Sequence, residues 1–520
     1  MPTTTIQSLR HEGKLDEALA MALVAHEAHP DDKRTWNDIV WCYDAICKHA
    51  AIQSDCDHFA EAFGELVSMH EFETNRMLSD TMCWRLRALL ANVTSKIQSE
   101  EIPTFADRVF AMAQQICPDV PSEPYSVLCK AFYKLRAHWN GFPSFMEWWG
   151  WDSFRSEDYQ CEEGPDGRRM PISLVEGCHI AVARILVSQH DCEAIRLFLP
   201  RMEQLAHAHP EMLYVGYYIG KLMFALGQSG EEALKALCPF VRKKKSEFWA
   251  WQLLAEAFPD NADKRLACLL RAAACKTKEE FLPKVRLELT YQFLQRHDYP
   301  NASYQLHKYL AERTRQQKMP PRDIWHLTQE PWYAAYDSNH CPKLPLDYQS
   351  ITDEILFADF PRHICVVAHV NREKQMATVV YGKAKSGFFK YDCFLKNLRA
   401  GDLLQMRWEE VSADGYIKPL SCKCVTGEAT TDTLAGDSHL DSFYRQVSGT
   451  ASSNRAGTVW FLSFEGGSAF IPPELHSKRS LRPDQTLTAH ILMTFNKARG
   501  EWGWRCIDVQ IAAELAPKTA

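Results

Sequence analysis

Near residue 350 the spacing of apolar residues changes period, and that change bounds what the chain can fold into. Up to about residue 345 apolar residues recur three and four apart, with Pro, Gly and Asn at the breaks, the pattern of successive amphipathic helices. From about residue 352 come short runs rich in β-branched and aromatic residues, separated by Gly, Asp, Asn and Ser. The first five are 364–371, 376–381, 387–391, 403–408 and 418–425; a second five are 443–449, 458–462, 469–471, 486–495 and 502–510. Five such runs make one small barrel. The expected fold is therefore multidomain: an all-α helical-repeat solenoid over 1–345, a first β-barrel over 352–426, a linker over 427–440 rich in Thr, Asp and Gly, and a second β-barrel over 441–512. A turn at Gly401-Asp402 before the fourth run, echoed by Pro483-Asp484 in the second set, suggests duplication.

Within the helical part, Gly13, Ala18, Ala25 and Pro30 resemble the second half of a tetratricopeptide unit. Small residues seven apart let neighbouring helices approach, and Pro30 stops one helix before the next begins near Lys33. Similar turns at 227–234 and 299–302 recur without a constant interval, so the expectation is a degenerate α-solenoid that holds protein partners. Trp139, Phe142, Phe145, Trp148, Trp149, Trp151, Phe154 and Tyr159 crowd one stretch. Two readings stand for them, a corner packing several helices and a ligand box.

The 520 residues carry a formal charge of −7, which excludes a uniformly basic nucleic-acid binder and requires any such site to be local. No stretch approaches 18 uncharged apolar residues and the first residues form no signal-type segment, so a cytoplasmic protein with no membrane association is expected. Eighteen cysteines include no C-x-x-C. The closest pair, Cys422-x-Cys424, has no second pair nearby, so neither a metal nor another cofactor is expected. The phosphate-binding, zinc-protease, nucleophile-elbow and dinucleotide signatures are missing, and no residue is assigned a catalytic role; a non-enzymatic chain is expected.

The charge is unevenly divided. Residues 360–425 hold eleven Lys or Arg against six Asp or Glu. Within them Tyr381, Phe388, Phe389 and Tyr391 interleave with Lys383, Lys385 and Lys390, which suits a single strand whose bases stack on aromatic faces beside phosphate-binding cations. Strand alternation puts Phe389 and Tyr391 on one face and Phe388 and Lys390 on the other, and only one face can be outside. The alternative is that these rings are all core. In the second set Trp460 and Phe470, with Trp502 and Trp504 on one face of the last run, are the candidate stacking residues.

Several strings resemble bacterial tetratricopeptide-like proteins that end in paired OB-type, cold-shock-like domains and are associated with prokaryotic conflict systems. They are residues 13–30 with Trp36 and Trp41, 147–159, 246–251, 275–281, Phe470-Ile471-Pro472-Pro473-Glu474-Leu475, and Gly500-Glu501-Trp502-Gly503-Trp504. The resemblance implies OB/cold-shock barrels, a helical arm that engages proteins, and a tail that engages RNA or single-stranded DNA in a defence setting. An assembly scaffold whose barrels contact only protein is the alternative it leaves. A typical cold-shock domain has K-G-F-G-F-I and V-F-V-H strands; here the nearest strings are 457–462 and 469–472, without the basic start or the His.

Overall fold

A computed structural model describes residues 2–69, 72, 76–163, 167, 170–336, 340–425, 438–496 and 499–511. Most of the linker expected at 427–440, and residue 512, lie outside them.

The chain divides into two compact units, residues 1–243 and 244–520. The first is helical. Several of its helices start where a short polar side chain satisfies a free backbone N–H: Asp32 accepts from Arg34 N at 2.9 Å, Asp55 from His58 N at 3.0 Å and Asp191 from Ala194 N at 3.0 Å. The helix Leu15–Ala28 buries Ala18 and Ala22 fully, and the next begins at Lys33. Most helices pack on their successor, and several on the one after. Lys33–Gln53 meets both Cys56–Val67 and Arg76–Thr94, and Leu213–Ala225 meets Leu174–Gln189, Cys192–Ala208 and Glu231–Lys243. This is the nearest-neighbour packing of helical repeats.

The crowded aromatic stretch is core. Trp139, Phe142, Phe145 and Trp149 are at most 1% exposed, and Phe132 stacks on Phe145 at 4.4 Å. Their polar edges are satisfied locally: Trp139 Nε1 donates to Asp107 at 2.7 Å, and Trp151 Nε1 to Glu147 at 2.8 Å.

The second unit begins with more helices, among them Phe248–Glu256, Ala262–Ala273 and Tyr348–Leu356, and continues into two β modules. Strands β1 (Arg362–Asn371), β2 (Met376–Gly382), β3 (Lys385–Lys390), β4 (Leu403–Val411) and β5 (Ile417–Cys424) form a sheet in the order β3-β2-β1-β4-β5. Its edges meet where Phe388 pairs in parallel with Tyr416 and Phe388 N donates to Gly415 O at 3.0 Å. Strands β6 (Tyr444–Ser453), β7 (Trp460–Phe464), β8 (Gly467–Ile471), β9 (Thr486–Asn496) and β10 (Glu501–Ile511) close into a full barrel in the order β10-β8-β7-β6-β9. The connectivity is the same in both: the module's first strand pairs with its second and fourth, and its third joins its fifth in parallel. A helical region followed by two five-stranded OB/cold-shock-type modules is thus the fold, as the change of period implied.

Close packing at β6–β7 requires a glycine. A Cβ on Gly449 would stand 2.1 Å from the Ser463 carbonyl oxygen, and backbone cannot yield as a side-chain tip can. Gly449→Ala is expected to cost about 1–3 kcal/mol, read as a lower thermal midpoint for the second barrel.

Candidate nucleic-acid interface

The first barrel resolves the two faces of β3. Register sets Ala377 opposite Phe389, Thr378 opposite Phe388 and Met376 opposite Lys390. Phe389 is fully buried among Cys365, Val367, Val379, Met406 and Trp408. It has no free face for a base, which corrects its assignment as a stacking residue. Tyr381 and Tyr391 share that inner side, half-buried against the same core; Tyr381 meets the Trp408 ring edge-on at 5.2 Å, and burial pushes its hydroxyl pKa up. They too are packing residues in this fold. The outer row is His369, Thr378 and Phe388, continued by Tyr416, whose ring lies 5.6 Å from that of Phe388 at 63°.

Cations stand beside this row and in the turns at both ends of β2. Lys390 is exposed beside Phe388, with Asp392 3.4 Å away. Lys383 and Lys385 are exposed at the β2–β3 hairpin, where Ala384 takes the left-handed conformation at φ 55°. Arg372 and Lys374, in the β1–β2 turn, are exposed too. In the sequence they carry no aromatic marker, and Glu373 stands between the two cations. The local positive excess is smaller than the count suggests, since Arg362 and Arg407 both pair with Glu354 at 2.9 Å.

Part of the outer face is covered. Val366 and Val380, outward on β1 and β2, are buried against Leu440 at the end of the linker and Phe443 and Leu492 of the second module. The two barrels therefore share an apolar seam, and the open part of the first sheet lies toward Phe388 and Lys390.

In the second barrel one step of alternation separates expectation from structure. Trp460 is 7% exposed, its Nε1 donating to Gly457 O at 3.1 Å and its ring stacked on His476 at 5.6 Å, so it is core and not a stacking platform. Its neighbour Phe461 points outward and meets Phe470 directly across the strands, rings 6.1 Å apart. Phe470 therefore lies on the outer face, paired with Phe461, which the sequence left unassigned. Trp502 faces Phe495, which is 47% exposed, at 5.7 Å near the β9–β10 turn. Trp504 packs partly on the barrel core, beneath the Arg445 guanidinium at 4.9 Å. The aromatic candidates thus form separate groups: Phe388 with Tyr416, Phe461 with Phe470, and Phe495 with Trp502.

Cys422 and Cys424 both lie against the first barrel's core, and burial pushes the Cys422 thiol up to about 12, far from a thiolate ligand.

Comparison with known proteins finds three matching families. Residues 213–347 match a domain of unknown function (DUF7017). No curated protein matches the chain. Residues 357–418 are similar to S1/CSD-like domain 1 of the TOTE conflict systems, and residues 445–509 to S1/CSD-like domain 2 of the same systems, so the two barrels match in the order in which those domains are numbered.

Proposed function

We propose that this chain is a non-enzymatic adaptor of a prokaryotic conflict system. Its barrels bind RNA or single-stranded DNA, and its helical repeats, tetratricopeptide-like at residues 13–30, hold a protein partner. The observation that carries the reading is the open outer row of the first barrel. Phe388 and Tyr416 stand there with Lys390 alongside, and Lys383, Lys385, Arg372 and Lys374 occupy the flanking turns. A flexible strand needs that combination, since rings receive bases of any sequence while cations track the phosphates. The likeness of both modules to S1/CSD-like domains of conflict systems supports it.

The test is fluorescence anisotropy of the full chain with labelled single-stranded RNA and DNA across a salt series. Affinity is expected to fall as salt rises, with little dependence on sequence. The triple change Lys383→Glu, Lys385→Glu and Lys390→Glu is expected to weaken binding about 100-fold at low salt and to flatten the salt slope. No salt-dependent binding by the folded protein would overturn the reading. The buried seam of Val366, Val380, Phe443 and Leu492 favours a second reading, in which the outer faces of these barrels serve protein contact only. Strand-free protein that still captures its partner would support that one.

A further inference from the structure

The second barrel has two unlike ends. At one, the helix Pro473–Arg479 closes the interior, with Leu475 against the core and His476 on Trp460. The other end lies four residues along β7, at Phe464. There Arg445 reaches from β6 across the mouth, with its guanidinium 5.4 Å from the Phe464 ring and 4.9 Å from the Trp504 ring. The Nε is buried without a partner, and among the described residues the side chain makes no hydrogen bond or ion pair. A cation partly withdrawn from water, set between two rings and lacking an ion pair among the described residues, is costly unless something completes it. Aromatic faces satisfy the plane of a guanidinium and leave its in-plane N–H fork free, and that fork matches a phosphate. Two residues along β10, about 7 Å away, half-buried Trp502 meets the exposed Phe495, and the pair offers a ring face on the rim.

We propose that this mouth is a nucleotide site. Arg445 takes a phosphate in its fork, and the Phe495–Trp502 pair takes the attached base. The ligand class is a phosphorylated terminal nucleotide of a single strand, or the same unit free in solution. The inference deepens the nucleic-acid reading and rests on it, but it uses none of the first barrel's residues, so the two can fail separately.

Isothermal titration of the full chain with inorganic phosphate, UMP, AMP, and short oligonucleotides bearing either a 5′-phosphate, a 3′-phosphate or hydroxyls at both ends tests it. Saturable mononucleotide binding is expected, tighter than inorganic phosphate. Arg445→Met is expected to weaken it at least tenfold and Trp502→Ala at least threefold. A preference for phosphorylated over hydroxyl-ended oligonucleotides identifies a strand end as the ligand, whereas equal binding of the oligonucleotides with mononucleotide binding retained identifies the free nucleotide. If Arg445→Met does not fold, Arg445→Lys, which keeps the charge and stem but not the fork, must show the loss. Wild-type protein that binds neither mononucleotides nor phosphorylated ends, or an Arg445 variant that folds and binds as before, overturns the proposal. Oligonucleotide binding that is lost in the lysine triple variant but indifferent to Arg445 and to end phosphates would leave the first-barrel reading standing and remove this one.

Discussion

Phe389→Ala is expected to open the first barrel, costing about 3–5 kcal/mol, while Phe388→Ala leaves its stability nearly unchanged and weakens single-strand binding by about 1–3 kcal/mol. The two residues are adjacent and chemically identical, so the contrast isolates position. Phe389 is fully buried and fills the space between Ala377, Val379 and Trp408; truncation there loses transfer energy and leaves a cavity that the surrounding strands cannot close. Phe388 rests edge-on against Tyr416 on the outer row, where an alanine loses one ring contact and no core. Because the chain is not a single two-state unit, the measurement is peptide-resolved hydrogen exchange over residues 362–424, with anisotropy for the affinity. Equal protection loss in both variants would show that Phe388 is also structural and would remove it from the interface.

The second large effect concerns Glu354, on the helix Tyr348–Leu356 beside the first barrel. Its carboxylate accepts from Arg407 and Arg362 at 2.9 Å each and from Gln405 at 2.8 Å, while Arg407 also donates to the Phe360 carbonyl. The Arg407 side chain is only 7% exposed, so its charge depends on that carboxylate. Glu354→Gln is expected to destabilise the junction by about 2 kcal/mol, below the usual cost of breaking a buried pair because Glu354 itself is 40% exposed. Burial alone would raise the Glu354 pKa, but the Arg407 hydrogen bond and the two guanidinium charges outweigh it and hold it below the ordinary range. A lowered carboxyl contributes stability that is present above its unfolded pKa, about 4.3, and is lost as pH falls through the folded value. Denaturation of the wild-type chain by acid should therefore steepen below about pH 4.3, and Glu354→Gln should remove that component. Its neighbour Asp353 works in the opposite sense. Burial pushes its pKa up to about 6, against the pull of Arg271 and Lys245, so its contribution is greatest at low pH and is lost as pH rises through about 6. The two variants Glu354→Gln and Asp353→Asn should thus shift stability in opposite directions at pH 7.

The helical and β halves were legible because their periods differ and because helix stops and turns carry their own residue signals, such as Pro30 before Lys33 and Gly401-Asp402 before β4. The candidate site was legible only in part. Lys383, Lys385 and Lys390 are exposed as expected, and Phe388 and Phe470 reach the outer faces, but Phe389 and Trp460 are core, and Phe461, Tyr416, Arg372 and Arg445 went unassigned. Tyr416 could not be found by spacing, since its partnership with Phe388 joins β3 to the start of β5 across the closing edge of the sheet. Arg445 has no motif around it; its meaning comes from Phe464 and Trp504, 19 and 59 positions away.

By itself the sequence determined which residues share a side of each strand, because side chains alternate with a period of two whatever surrounds them. It did not determine which side is inside. In an isolated barrel the outer side would be polar and would betray itself, but here both sides are apolar in places. Val366 and Val380 look like core residues because the second barrel covers them, and Phe388 and Phe461 are as aromatic as the buried rings beside them. Only the closure of each sheet and the packing of one barrel on the other decide which rings stay open to a ligand, since burial is a property of what each strand packs against rather than of the strand alone.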